Sequence, residues 1–212
     1  MGITTSMTSQ DKELLTKLTP YDQKMIKKYK KQCKYKALQI QNDQEIVDTN
    51  FADYLVDLNV VHFIQCKNIS FENTPTTIRY FNATSCDIEQ FDGASKMQQL
   101  IYLNLSQNRI KDISIISSLP GLTSLILSNN QISDISSVAR LVNLIEIKLE
   151  NNLIEDISVL KPLIKLQRIW LFNNKVTNME PIAQQMANAT GKTHHHHNHH
   201  HQQDFRLQPQ NM

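Results

Sequence analysis

The sequence has little glycine or proline and few cysteines. Four Gly and six Pro among 212 residues are too few for the turn-rich strands of a β-sandwich or barrel. Three cysteines are too few, and odd in number, for a disulfide framework, so we interpret them as free thiols. No run approaches the ~18 apolar residues of a membrane span, and the amino terminus lacks the apolar run of a secretion signal. We therefore expect a cytosolic chain.

Positive charge is concentrated in one short segment. Seven lysines occur within thirteen residues, and without them the 22 basic residues of the chain fall to 15, against 20 acidic ones. The rest of the protein is therefore acidic, which argues against a nucleic-acid partner for the surface as a whole. The seven are Lys24, Lys27, Lys28, Lys30, Lys31, Lys34 and Lys36.

A repeat of 22 residues dominates the chain. Its four clearest units begin at Leu100, Leu122, Leu144 and Leu166, and apolar residues follow three and five positions later in each unit. An asparagine then recurs, with apolar residues two, five and eight positions after it. Four units in one register indicate a repeat architecture. The asparagines are Asn108, Asn130, Asn152 and Asn174.

The spacing within a unit predicts a short strand followed by a looser return segment. Alternation of apolar and polar residues before each asparagine buries one face of a strand. The asparagine amide carries donors and an acceptor, so stacked copies can satisfy backbone groups at the turn in place of glycine. Apolar spacings of three in the return segment favour 3₁₀ turns.

This pattern resembles the leucine-rich-repeat family, in the 22-residue class of bacterial internalins and protein-phosphatase-1 regulators. The stretches around Asp112-Ile113-Ser114, Asp134-Ile135-Ser136 and Asp156-Ile157-Ser158 carry the likeness. The resemblance implies an α/β fold: a right-handed solenoid with a parallel concave β-sheet, a 3₁₀ or irregular convex side and an N-terminal helical cap. Weaker units with Cys66 and Cys86 at the asparagine position extend it to seven strands, and we interpret both thiols as buried.

The chain divides into four predicted segments. Residues 1–7 are a flexible amino terminus, and 8–57 a helical cap with a degenerate first strand. Residues 58–187 hold the repeats, and 188–212 form a disordered tail rich in histidine. Seven histidines of this tail could gather around a metal ion, but the tract has the character of low-complexity sequence, so we assign no metal site.

The sequence assembles no catalytic constellation. His62 is the one histidine outside the tail, and no cysteine lies in a nucleophile motif. We therefore predict a protein that is not an enzyme, with no cofactor and no small-molecule substrate.

The strand register predicts a solvent-facing surface for binding a partner protein. Trp, Tyr and Arg dominate many binding surfaces, and three of the predicted positions in the last strand are Arg168, Trp170 and Phe172. An alternative is that the final turn or the histidine-rich tail covers these rings. The predicted partner-binding residues are Tyr80, Tyr102, Asn104, Glu146, Lys148, Glu150, Arg168, Trp170 and Phe172.

Two more specific functions stay open. The resemblance alone suggests a regulatory subunit of a protein phosphatase. Separately, Met1-Gly2-Ile3-Thr4-Thr5-Ser6 fits the pattern for myristoylation at Gly2, and a polybasic segment supplies the second signal that stable anchoring on an anionic membrane requires. The chain would then be a membrane-associated adaptor that binds lipid through Lys24, Lys27, Lys28, Lys30, Lys31 and Lys34.

Overall fold

The protein forms one open parallel sheet of stacked strands. The computed structural model describes residues 60–67, 69, 71 and 76–191, together with the strand at 37–41. In this part of the chain seven strands follow one another in the sheet in the order of the sequence. They are β1 (Ala37–Gln41), β2 (Val60–Ile64), β3 (Tyr80–Thr84), β4 (Tyr102–Asn104), β5 (Ser124–Ile126), β6 (Glu146–Lys148) and β7 (Arg168–Trp170). Each turn of a solenoid contributes one strand, as the repeat predicts.

The strands pair without any slip between equivalent repeat positions. Leu103 of β4 lies opposite Leu125 of β5, which lies opposite Ile147 of β6. A slip of one residue would turn every apolar side chain of a strand to solvent. Burial of one face therefore fixes the register that the 22-residue repeat encodes.

The repeated apolar positions fill one continuous core. In the coil that begins with β4, Leu103, Leu105, Ile110, Ile113 and Ile116 are all at most 1% exposed. The same positions are buried in the following coils, except for Met179 in the coil of β7, which is only partly buried. Burying such a side chain contributes about 1.5–3 kcal/mol, so the stack of coils supplies the main stabilisation of the fold.

The asparagines form the predicted ladder at the end of the strands. Oδ1 of Asn130 accepts the backbone N–H of Ile110 in the preceding coil at 3.0 Å. Its Nδ2 donates to the carbonyl oxygens of Leu105 and Leu127, both at 3.0 Å. Asn108, Asn152 and Asn174 bond in the same way. Each ladder side chain therefore connects its own coil to the one before it.

The turn itself lies one residue earlier than the sequence suggested. Where we expected the ladder asparagine to replace glycine, the residue before it adopts the left-handed conformation, with φ between 53° and 60°. Polar side chains, and Asn above all, tolerate this region better than other non-glycine residues. This explains how the chain turns with so few glycines. The positions are Gln65, Ser85, Gln107, Asn129, Asn151 and Asn173.

The side of the solenoid opposite the sheet consists of 3₁₀ segments, as predicted. Within the described residues these are η1 (Asp92–Lys96), η2 (Ser114–Ser118), η3 (Ser136–Arg140), η4 (Ser158–Leu160) and η5 (Glu180–Ile182). An aspartate precedes three of them: Oδ1 of Asp134, for example, accepts the N–H of Ser136 at 2.8 Å. This hydrogen bond holds the pKa of the Asp134 carboxyl below its usual range.

A short helix follows the last coil. Helix α1 (Ala183–Gly191) follows η5 directly. Gln185 is 3% exposed, and its Nε2 donates to the carbonyl oxygen of Leu160 at 3.0 Å. Gln184 bonds across one helical turn to Asn188, so the boundary that we predicted at residue 188 falls inside this helix. The predicted amino-terminal segment 1–7, the helical part of the cap and the tail beyond 191 lie outside the described residues.

Candidate functional site

The face of the sheet that points away from the core carries all nine predicted partner-binding residues. In β4, β6 and β7 a buried central residue is flanked by partly exposed ones, as in β4, where Leu103 lies between Tyr102 and Asn104. Glu150 and Phe172 continue this alternation two residues beyond the ends of β6 and β7. We call this surface the concave face.

An ion pair joins the last two strands of the concave face. Nε of Arg168 lies 2.8 Å from Oε2 of Glu146, and Oγ of Ser124 donates to Oε1 of the same carboxylate at 3.0 Å. The Glu146 side chain is only 16% exposed. These contacts join β5, β6 and β7 and hold the Arg168 side chain in place.

Lys148 lies over the single tryptophan. Its Nζ is 4.4 Å from the centroid of the Trp170 ring, a cation–π contact that contributes about 0.5–1 kcal/mol at a partly exposed site. Trp170 and Phe172 both remain partly exposed. The described residues therefore leave aromatic surface open at this end of the sheet.

Equivalent positions of successive coils form a row across the concave face, and the row next to Trp170 contains two polar groups without a partner. One carboxylate oxygen of Glu150 and the hydroxyl oxygen of Ser128 are both enclosed, and neither has a hydrogen-bond partner among the described residues. Phe172 occupies the next position of this row, two residues beyond the end of β7. Buried polar groups are usually paired, so this row has unused capacity to bind.

Two residues that the strand alternation places on the concave face are covered. Ile126 is 9% and Ser128 is 4% exposed. Strands in a sheet lie only ~4.8 Å apart, so a longer side chain in the next coil, Lys148 beside Ile126 and Glu150 beside Ser128, can shield these positions. β5 therefore forms a low strip between two groups of larger side chains.

Tyr80 and Tyr102 pair at the other end of the concave face. Their ring centroids are 6.0 Å apart at an angle of 38°, and Tyr80 is 43% exposed. Nδ2 of Asn104 donates to the Tyr102 hydroxyl at 3.3 Å, and its Oδ1 accepts from the Ser106 hydroxyl at 2.8 Å. The Asn104 amide is thus already engaged within the protein.

A shallow apolar hollow adjoins this tyrosine pair. The sequence analysis did not predict this hollow. It has a volume of about 340 Å³. Partial burial lowers the pKa of His62, which lines it, and so favours the neutral imidazole. An apolar Val at an outward strand position beside a recurring Tyr was the signal that could have indicated it. The lining residues are Val60, Val61, His62, Tyr80, Phe81, Asn82 and Tyr102.

Away from the concave face, the described residues include a pair of buried cysteines. Cys66 and Cys86 are free and buried, as predicted, and hydrogen bonding between the two thiols, together with burial, raises the pKa of Cys86. No three His, Cys, Asp or Glu side chains within the described part gather to hold a metal ion. None of its helices is long and apolar enough to cross a bilayer. Gly2 and the six lysines of the predicted lipid site lie outside that part.

The geometry defines a class of protein: a solenoid of parallel strands, joined by an asparagine ladder and backed by 3₁₀ segments. Residues 98–140 match the family model for leucine-rich repeats, in two copies. The chain therefore carries leucine-rich repeats within a leucine-rich-repeat fold. Proteins with this fold are generally non-catalytic scaffolds that commonly mediate protein–protein interaction.

Several solved structures share the architecture. An internalin from Listeria monocytogenes has a TM-score of 0.58 and 26% identity, over 69% of this chain and 44% of its own. Internalin C2 from the same species has the same TM-score and 22% identity, over 73% and 79%. A leucine-rich-repeat protein of Leptospira interrogans has a TM-score of 0.58 and 24% identity, over 72% and 41%. The chain thus spans less than half the length of two of these relatives. No curated protein sequence matches it significantly.

Proposed function

We propose that this protein is a non-catalytic module that binds a partner protein through its concave face. The observation that carries the proposal is the partly exposed cluster of Trp170, Phe172 and Arg168 on a sheet whose register is fixed by burial of its other side. These residue types supply most of the binding energy in many interfaces. A preformed sheet also loses little conformational freedom when a partner binds.

The proposal is tested by capture of partners from native lysate. The double variant Trp170→Ala plus Phe172→Ala should lose the proteins that the wild type retains, as identified by mass spectrometry. The matched control is Val142→Ala plus Ile164→Ala, because these side chains are 58% and 80% exposed but lie outside the strands. Equal recovery by the wild type and the aromatic variant would refute the concave face as the binding surface.

A membrane-recruited adaptor is a second candidate, which the Gly2 motif and the lysine segment support. It is compatible with a cytosolic chain that associates with an anionic membrane. Intact-mass measurement after eukaryotic expression would show myristate at Gly2, whereas an unacylated amino terminus removes this candidate.

Regulation of a protein phosphatase is a third candidate and depends on family resemblance alone. The capture experiment distinguishes it, because a phosphatase catalytic subunit would then be retained by the wild type and lost by the aromatic variant.

A further inference from the structure

We infer that the concave face recognises a linear segment carrying an apolar side chain and, about five residues away, a Lys or Arg. The inference rests on the proposed function and specifies the chemistry of the partner. Two separate parts of the face lead to it: an unpaired carboxylate near β7 and the apolar hollow near β3.

The carboxylate of Glu150 is a charged group of the concave face that the described residues leave without an ion-pair partner. Glu146 is held by Arg168 and Ser124, and the Lys148 ammonium lies over the Trp170 ring. Glu150 forms no ion pair with a described residue, and one of its oxygens lacks a hydrogen-bond partner. A partner that brings a positive donor would complete this row.

The surroundings of Glu150 suit a cationic side chain. Phe172 lies on one side of it in the row and the unpaired Ser128 hydroxyl on the other. An ammonium or guanidinium can bond to the carboxylate while it contacts the face of an aromatic ring. The Glu150 side chain as a whole is partly exposed, so a partner that lies on the concave face can contact its carboxylate.

The hollow at the other end suits an apolar side chain. Val60 and Phe81 contribute apolar walls, and Tyr80 and Tyr102 form its aromatic rim. Its volume of about 340 Å³ can hold a large aliphatic or aromatic group. Burial lowers the pKa of His62 beside the hollow, which favours its uncharged form.

The distance between the two parts sets the spacing in the ligand. The hollow centres on β3 and Glu150 follows β6, three strand spacings away, or ~14 Å. A further displacement along the strands brings the span to roughly 15–18 Å. An extended chain advances ~3.3 Å per residue, so about four to six residues separate the two side chains.

Selection from a phage-displayed library of random linear peptides tests the inference on the full chain. Peptides retained by the wild type should share an aromatic or large aliphatic residue and a Lys or Arg four to six positions apart. The best peptide is then synthesised, and its Kd is measured by fluorescence polarisation.

Matched variants assign each contact. Glu150→Gln should weaken binding about tenfold, whereas Glu155→Gln, an exposed glutamate outside the strands, should leave it unchanged. Tyr80→Ala should weaken binding similarly, whereas Leu153→Ala should not, because Leu153 is equally exposed at 44% but lies off the face. A peptide without its basic residue should bind the wild type and Glu150→Gln equally.

The outcomes separate this inference from the proposed function. Selected peptides without a basic residue, or full affinity for Glu150→Gln, overturn the inference. The proposed function still stands if those peptides are lost by the variant Trp170→Ala plus Phe172→Ala. Failure to select any peptide that responds to substitutions on the concave face overturns the recognition of a linear segment, and an equally negative capture experiment then removes the proposed function too.

Discussion

At the scale of single residues, the ladder shows why asparagine recurs at one position. Asn130 accepts one backbone N–H and donates to two backbone carbonyls in two coils. Aspartate has no donor, and glutamine is one methylene longer. Only the asparagine side chain therefore joins donor and acceptor at this distance from the backbone.

Replacing a ladder asparagine should destabilise the protein strongly. Asn130→Ala leaves the buried Ile110 N–H without a partner. It also removes one of two donors from each of the Leu105 and Leu127 carbonyl oxygens, which Asn108 and Asn152 still bond. The free energy of unfolding should therefore fall by about 1–3 kcal/mol. The control Asn143→Ala removes an exposed contact with Lys165 and should cost less than about 0.5 kcal/mol. Urea unfolding measures both, and equal effects would contradict a structural role for the ladder.

At the scale of the elements, the 3₁₀ segments depend on a small number of local contacts. Asp112 and Asp156 accept N–H groups of Ser114 and Ser158, as Asp134 does in its own coil. At the first segment, η1, a glycine permits close contact with another part of the backbone. The aspartate hydrogen bonds and the glycine of η1 each predict a measurable effect on stability.

Acidification should destabilise the 3₁₀ side. Hydrogen bonds from Ser114, Ser136 and Ser158 lower the pKa values of Asp112, Asp134 and Asp156 in the folded protein. Their contribution is therefore present above about pH 4, near the unfolded pKa, and is lost as the pH falls through the folded values.

The variant with all three aspartates changed to Asn keeps the acceptors but no longer titrates there. Its Tm should fall less between pH 5 and pH 2.5 than that of the wild type. Parallel Tm curves would show that these carboxylates do not contribute to acid sensitivity.

Gly93 should be essential for packing of η1. A Cβ at this position would lie 2.2 Å from the carbonyl oxygen of Phe71, so the backbone must move. Gly93→Ala should cost roughly 1–3 kcal/mol. Gly121→Ala is the matched control, because its Cβ would meet the Leu100 oxygen at 3.3 Å, and thermal unfolding should show a far smaller loss. Similar losses would refute the steric argument.

At the scale of the whole molecule, the repeat made the scaffold predictable but not the details of its surface. Burial of Leu103, Leu125 and Ile147 leaves one possible register, so the sheet follows from spacing. Whether Glu150 is paired depends instead on where the Lys148 ammonium lies, and the rotamer of the Lys148 side chain decides this. Alternation likewise placed Ser128 on the correct face without revealing that its neighbours cover it.

A solenoid should be most stable in its middle. Each coil contacts only its neighbours, so the coils at the ends open more easily. The N–H of Leu127 bonds to Lys148 in the middle of the stack, whereas the N–H of Lys175, in the last described coil, bonds to Ile154. Amide exchange should be about tenfold slower at Leu127 than at Lys175. Hydrogen exchange followed by NMR tests this, and uniform protection would show instead that the solenoid opens as one unit.

The ladder has a direction, because every asparagine completes the coil that precedes it. During synthesis on the ribosome, a coil must wait about one repeat for the side chain that pairs its amides and carbonyls. On the 3₁₀ side of the solenoid the same direction holds, because Gln185 of α1 donates to the carbonyl oxygen of Leu160, which lies 25 residues earlier. The order of translation is thus also the order in which the backbone of each coil can be satisfied.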